Sequence, residues 1–137
     1  MKKLNKPFIF GIGAVILILV FAGLFLADIG INSKFFIKKH FNQAFQYRVT
    51  GDCTSFIGYV YQDSEKWNER CEKEKSRETE PIRKFEIQAV THKFGSNKAF
   101  LQAELTRNIK TKEDYTYSAS YEMKKSDLTW KIMNEIK

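Results

Sequence analysis

The sequence predicts an α+β protein with one N-terminal transmembrane helix, then three helices packed on a curved four-stranded antiparallel meander. Three observations lead to this prediction. Residues 7–27 contain no charged side chain, apolar residues then recur at helical spacing as far as residue 71, and from Ile82 they alternate with polar residues. An apolar period that changes from about 3.6 to 2 indicates helices followed by strands, which is typical of an α+β domain.

The uncharged stretch 7–27 predicts a membrane anchor. As a helix it would be roughly 30 Å long at about 1.5 Å per residue, which matches the hydrocarbon thickness of a bilayer. Lys2, Lys3 and Lys6 precede it, and a short basic tail tends to stay in the cytoplasm. We therefore expect a cytoplasmic N-terminus and an extracytoplasmic remainder. A cleavable signal peptide is the alternative, because Val20-Phe21-Ala22 has the small residues of a cleavage site.

The anchor divides the chain into four parts. Residues 1–6 are a cytoplasmic tail, 7–27 the transmembrane signal anchor, 28–33 a joint, and 34–137 one extracytoplasmic domain. The last part holds about 104 residues, enough for a hydrophobic core of its own. Because the joint is short, we expect the domain to stay close to the cell membrane.

A glycine and an aspartate mark the break between the first two helices of this domain. Gly51 suits the left-handed residue that ends a helix, and Asp52 can cap the helix that follows. The first helix, over residues 34–49, has an apolar face formed by Ile37, Phe41, Ala44, Phe45 and Arg48. The apolar face of the second helix is formed by Cys53, Phe56, Ile57, Val60 and Tyr61.

The third helix begins near residue 64 and has a thin apolar face of Trp67 and Cys71. The rest is largely charged, and Arg70 lies one turn from Glu74, a spacing that predicts an ion pair. Cys53 and Cys71 form an even pair in a domain with an export signal, which predicts a disulfide. Two separate buried thiols are the alternative.

Four strands follow Pro81 and are joined by short turns, which indicates antiparallel neighbours. One face of the sheet is apolar, and the first two helices can cover it. The residues predicted to form that face are Phe85, Ile87 and Ala89, then Ala99, Leu101, Ala103, Leu105 and Ile109, then Tyr115, Tyr117, Ala119, Tyr121 and Met123, and last Leu128, Trp130 and Ile132.

Three short motifs accompany this order of elements: Phe41-x-x-Ala44-Phe45, Gly51-Asp52 and Trp130-Lys131-Ile132. Together with the order of elements they resemble the nuclear-transport-factor-2-like superfamily, with its cone-shaped α+β fold. The resemblance covers about residues 34–136, and it is strongest to small bacterial membrane-anchored envelope domains of that superfamily. It implies no single function, because the superfamily includes isomerases, dehydratases, transport factors and the anchored bridge subunit of type IV secretion systems.

Candidates for chemistry are few. The residues that could line a cavity of the cone are His92, Tyr115, Tyr117 and Tyr121, although an aromatic core is the favoured explanation of the tyrosines. His92 is out of phase with the inner face unless a β-bulge resets the register, and His40 is expected on the solvated side of its helix. The sequence contains no motif of a catalytic set, a metal site or a cofactor site, so none is predicted.

The expected function is therefore that of a single-pass, non-enzymatic domain in the cell envelope that binds a protein partner or scaffolds an envelope complex. A homo-oligomer is the alternative to a separate partner. A small-molecule binding protein or enzyme that uses the cone cavity is one alternative. A basic surface that binds anionic lipid or polymer is another, since the formal charge is +7 and Lys34, Lys38 and Lys39 follow the anchor. Basic and aromatic residues interleave over residues 110–117, which is a feature of some proteins that bind nucleic acid. No recognisable motif accompanies them, so nucleic acid is not an expected partner.

Overall fold

The computed structural model describes residues 6–26, 34–93, 95–108 and 113–136. The predicted joint 28–33, the tail before Lys6 and the inward position predicted for Ile109 lie outside the described residues. Helix α1 spans Lys6–Leu26. Within the described part of the chain, no helix is long and apolar enough to cross a membrane.

The domain itself has the predicted order of three helices and four strands. The sheet has the order β1-β2-β3-β4 and each neighbouring pair is antiparallel, so the meander is confirmed. The helices are α2 (Lys34–Thr50), α3 (Cys53–Ile57) and α4 (Ser64–Lys75), and the strands are β1 (Ile82–His92), β2 (Lys98–Arg107), β3 (Tyr115–Ser126) and β4 (Thr129–Ile136).

Aromatic side chains fill the space between α2 and the inner face of the sheet. The rings of Phe41 and Phe45 stack 4.2 Å apart, and both contact Phe85 and Tyr121. Phe56 from α3 meets Phe45 edge-on. All of these except Phe85 are fully buried. Burial of such large apolar surfaces is the main source of stability in a domain of this size.

The predicted break between α2 and α3 at Gly51 and Asp52 is confirmed in detail. Gly51 has φ +78°, the left-handed conformation that glycine adopts without a steric penalty. Asp52 then caps α3, because its carboxylate accepts hydrogen bonds from the backbone and the hydroxyl of Ser55 at 3.1 and 2.6 Å. The predicted disulfide between Cys53 and Cys71 is present and buried, and it ties α3 to α4.

Helix α3 is shorter than predicted, since it ends at Ile57 and not beyond Tyr61. The backbone of the next residues pairs with the free edge of β4. The Tyr61 N–H donates to the Ile132 carbonyl at 2.8 Å, and the Ile132 N–H donates to the Tyr59 carbonyl at 2.7 Å. These bonds satisfy backbone groups that would otherwise lie unpaired at the sheet edge, and they end the helix early.

A β-bulge in β1 corrects the predicted alternation there. The register between β1 and β2 shifts between Ile87 and Ala89, so Ala89 is exposed and not on the inner face. Val90 and His92 take the inward positions after the shift and are half-buried. A bulge adds one unpaired residue to a strand, and every side chain after it changes face.

The domain has two ends that differ in composition. The joint end comprises the first turns of α2 and the turns at residues 95–97 and 127–128, because the Trp130 N–H donates to His40 Nδ1 at 2.9 Å. The cleft end comprises the last turn of α2, the end of α4 and the end of β2, which ion pairs between Arg48, Glu74 and Arg107 bring together.

Candidate functional site

An open cleft of about 730 Å³ lies at the cleft end of the domain. It lies between the last residues of α2, the last residues of α4 and the segment that leads into β1. Its wall is polar, with side chains of both charges and the neutral polar groups of Thr50, Thr79 and Asn108. The charged residues that line it are Arg48, Glu74, Lys75, Arg77, Glu78, Glu80 and Arg83.

A buried ion pair forms the floor of the cleft. Arg48 donates two hydrogen bonds to Glu74, from Nε to Oε2 at 2.8 Å and from Nη2 to Oε1 at 2.6 Å. Each residue is only 5% exposed. Such bidentate pairing is the strongest arrangement of guanidinium and carboxylate, and burial makes both charges depend on it.

Glu74 also binds a second arginine. Arg107 Nη1 donates to Glu74 Oε1 at 3.0 Å and to the Glu80 carbonyl at 2.6 Å, and Arg107 Nε donates to Tyr117 Oη at 2.7 Å. One carboxylate therefore lies between two guanidinium groups. Tyr115 extends this network to the surface, because its hydroxyl donates to the Glu80 carboxylate at 2.9 Å and its ring stacks on Tyr117.

Aromatic rings surround the Arg48 guanidinium on the core side. Its central carbon lies 5.3 to 5.7 Å from the ring centroids of Phe45, Phe56 and Trp67. Cation–π attraction of this kind is strongest where water is excluded. Among the described residues, Arg48 Nη1 has no hydrogen-bond partner. The aromatic faces therefore stabilise the part of the charge that Glu74 does not contact.

The four residues predicted to line a cone cavity lie in three separate places. Tyr115 and Tyr117 belong to the network at the cleft end. Tyr121 is fully buried in the aromatic core, where burial raises the pKa of its hydroxyl and no partner among the described residues bonds to it. His92 lies at the joint end, where its ring meets Trp130 edge-on and its Nε2 lies 2.9 Å from the Ser96 carbonyl.

Within the described residues, no group of three or more histidine, cysteine, aspartate or glutamate side chains could hold a metal ion. The polar groups that pair with one another at the cleft end are Arg48, Arg107 and Glu74, and the carboxylates of Glu78 and Glu80 also line the cleft. This arrangement can bind and orient charged or hydrogen-bonding groups at the cleft.

Solved structures share this architecture. A SEC-C motif containing protein from Rhodopseudomonas palustris superposes with a TM-score of 0.61 at 8% identity, over 83% of this chain and 86% of that one. An NTF-2 like protein of unknown function from Shewanella oneidensis superposes at 0.53 and 16% identity, over 71% of this chain and 92% of that one. No family model matches the sequence, and no curated protein matches it.

The domain has the nuclear-transport-factor-2-like fold. At these identities the likeness shows the fold alone, so function has to be argued from the residues of this chain. In this nuclear-transport-factor-2-like domain the cone is filled by phenylalanines, and the open cleft lies outside it, at the cleft end.

The buried position of Glu74 was not predicted from the sequence. The predicted ion pair between Arg70 and Glu74 is wrong, since Arg70 contacts Glu135 at 3.1 Å and Glu74 points inward. The sequence does contain a signal of this burial, because Trp67, Cys71 and Glu74 follow the i, i+4, i+7 spacing of one helix face. A glutamate on an apolar face predicts a buried cationic partner.

The expected solvated position of His40 is also wrong. His40 is half-buried beside β4, and its Nδ1 accepts the Trp130 N–H. Burial, and to a smaller extent the charge of Lys39, lowers the pKa of His40. Lys34, Lys38 and Lys39, which were predicted to approach a membrane surface, are exposed on the first turns of α2, and Lys39 Nζ lies 5.5 Å from the centroid of a neighbouring phenylalanine ring.

Proposed function

We propose that this protein is a single-pass, membrane-anchored domain of the cell envelope that binds a protein partner and has no catalytic activity. The observation that carries the proposal is the Cys53–Cys71 disulfide in a chain whose residues 7–27 are uncharged. Disulfides persist in oxidising compartments and are rare in the cytosol. A disulfide after an apolar stretch of this length supports an extracytoplasmic domain tethered by its N-terminus.

The filled cone supports a binding role over catalysis. An enzyme of this architecture would need a dry cavity with a base and a hydrogen-bond donor in it. Here Phe41, Phe45 and Tyr121 occupy the space between α2 and the sheet. A small apolar ligand would have to displace fully buried rings, whereas a protein partner needs only an exposed surface.

The polar cleft at the cleft end is the surface that we assign to the partner. Its rim offers cations such as Arg77 and Arg83, carboxylates such as Glu78 and the hydroxyl of Thr79. Mixed charges and hydrogen-bonding groups suit a polar segment of another protein, since they can pair with its backbone and side chains and set its orientation. The buried ion pair beneath the rim keeps these elements in place.

The test is photo-crosslinking in living cells with the full-length protein. A photoreactive amino acid replaces Thr79, which is exposed in the cleft, and in a matched strain it replaces Glu104, which is exposed on the outer face of the sheet. The expected result is one discrete crosslinked partner, identified by mass spectrometry, from position 79 and a much weaker one from position 104. Crosslinks only to a second copy of this chain would indicate a homo-oligomer and reject the separate partner.

Location is tested by a second measurement on the same cells. An anchored protein stays in the membrane fraction after extraction with alkaline carbonate, and its disulfide forms without added oxidant. Non-reducing peptide mapping that found Cys53 and Cys71 as free thiols in native membranes would contradict the extracytoplasmic location. Release of the protein by carbonate would contradict the anchor.

A further inference from the structure

The joint end of the domain carries a concentration of positive charge that the partner-binding proposal does not use. We call it the lysine rim, and it has a helix part and a sheet part. Two acidic residues also lie at this end, Glu122 on β3 beside Lys98 and Asp127 in the turn after β3. The rim consists of Lys34, Lys38 and Lys39 at the start of α2 and of Lys98, Lys124 and Lys131 on the sheet.

The sheet part of the rim is a row of like charges on three adjacent strands. Lys98 is directly opposite Lys124, and Lys124 is directly opposite Lys131. All three belong to the outer face, since one sequence neighbour of each is buried on the inner face, namely Ala99, Met123 and Trp130. Like charges directly opposite each other destabilise an antiparallel pair, so an anionic surface that lay against the row would relieve this repulsion.

The groups that the domain itself supplies to this row offset little of the charge. Lys98 Nζ lies 3.6 Å from a Glu122 oxygen, and Lys124 Nζ lies 4.4 Å from the centroid of the Tyr61 ring. Within the part of the chain that the structure describes, these are one carboxylate and one aromatic face for three ammonium groups. The row therefore remains a positive surface that can attract a polyanion.

Two large apolar side chains lie at the same end. Phe35, on the first turn of α2, is 68% exposed, and Leu128, in the turn between β3 and β4, is 73% exposed. The sequence predicted Leu128 on the inner face, but Asp127 has φ +55° and the turn directs its neighbour outward. The hydrogen bond between Trp130 and His40 places this turn beside the helix start. Basic residues around exposed apolar ones are typical of surfaces that lie at a membrane interface.

We propose that the joint end docks on the anionic phospholipid surface of the membrane that holds the anchor, with Leu128 and Phe35 at the interface and the lysine rim on the headgroups. This inference rests on the proposed anchor. Only seven residues separate Leu26 from Lys34, so the chain between them spans less than about 30 Å even when extended. Docking at this end directs the cleft end away from the lipid, toward the partner.

The test uses the full-length protein in vesicles and a tryptophan reporter. Leu128→Trp places the reporter in the joint end, and Glu78→Trp places a matched reporter on the cleft rim. Lipids brominated on their acyl chains quench tryptophans that reach the membrane interface, and the two native tryptophans, Trp67 and Trp130, are buried. Quenching at position 128 is expected to be at least about twofold greater than at position 78 when the vesicles contain phosphatidylglycerol.

Charge dependence identifies the lysine rim as the contact. Raising the salt from about 0.1 M to about 1 M shortens the screening length from about 10 Å to about 3 Å, so quenching at position 128 should fall. Lys98→Gln with Lys131→Gln should lower it at low salt. The matched control, Lys75→Gln with Lys84→Gln, removes the same charge near the cleft end and should leave it unchanged.

Two outcomes separate this inference from the anchor on which it rests. If carbonate extraction leaves the protein in the membrane while positions 128 and 78 are quenched equally, the docking surface is overturned and the anchor stands. If carbonate releases the protein while position 128 is still quenched in a salt-dependent way, the anchor is overturned and the docking surface stands. Quenching at position 128 that neither salt nor the Lys98 and Lys131 substitutions change would also overturn the lysine rim as the contact.

Discussion

Replacing Glu74 by glutamine should destabilise the domain more than any other single change of charge near the cleft. Glu74 accepts three hydrogen bonds, two from Arg48 at 2.6 and 2.8 Å and one from Arg107 at 3.0 Å, and it is only 5% exposed. Glutamine keeps the shape but removes the negative charge, and its NH₂ group cannot accept from a guanidinium. Two arginines are then left beside each other in a largely buried position without a counter-ion.

The magnitude follows from the burial of the pair. Removal of one partner from a buried ion pair costs roughly 3–5 kcal/mol, a large part of the roughly 5–15 kcal/mol that stabilises a typical domain. In a domain of about 100 residues, 1 kcal/mol corresponds to a change of about 4 °C in Tm. We therefore expect Glu74→Gln to lower Tm by roughly 12–20 °C.

The assay is thermal and urea unfolding of the full-length protein in mild detergent, monitored by tryptophan fluorescence, which reports on the two buried tryptophans, Trp67 beside Arg48 and Trp130 in the core. Glu72→Gln is the matched control, because it makes the same change at an exposed position of the same helix. A second variant, Glu74→Gln combined with Arg48→Met, should be more stable than Glu74→Gln alone, since it removes one unpaired cation. A loss for Glu74→Gln within about 0.5 kcal/mol of the control would refute the reasoning.

Three further predictions follow from the structure. Replacing Cys53 and Cys71 together by alanine, which opens a loop with a sequence separation of 18, should lower the free energy of unfolding by about 3 kcal/mol; an unchanged urea midpoint would contradict it. Tyr121→Phe removes a buried hydroxyl without a described partner, so we expect stability within about 1 kcal/mol of wild type and unchanged crosslinking from the cleft; loss of the crosslink would instead assign the hydroxyl a role in binding. Burial lowers the pKa of His40 in the folded domain, so on acidification the unfolded chain protonates this side chain at a higher pH than the folded domain does. The free energy of unfolding should therefore fall as pH drops below about 6.5. Urea unfolding at about pH 7.5 and about pH 5.5 measures this loss, and it should be smaller in His40→Gln.

Local patterns in the sequence were enough to predict most of the elements. The alternation in β2 correctly places Leu101, Ala103 and Leu105 inside, because a strand without a bulge keeps a strict period of two. The break between α2 and α3 at Gly51 and Asp52 was also predicted correctly, since a left-handed glycine and a capping carboxylate each act within a few residues. Such features depend on neighbours along the chain.

The sequence-based predictions were wrong where a distant part of the chain forms hydrogen bonds with a local segment. Helix α3 ends early because the backbone of Tyr59 and Tyr61 pairs with Ile132 on β4, about seventy residues away. Ala89 is exposed because a bulge forms against β2. His40 is half-buried because the start of β4 donates a hydrogen bond to it. No propensity of the local segment contains these pairings.

The sequence by itself determined the order of helices and strands, the inner faces of most of them and the pairing of its two cysteines. Each follows from periodicity, turn chemistry or simple parity. Tertiary structure alone decided which charges meet. It buries Glu74 between Arg48 and Arg107, and through strand register it aligns lysines from three strands at the joint end. Charge acts over distance in space, and residues far apart in sequence become neighbours only when the sheet and helices pack.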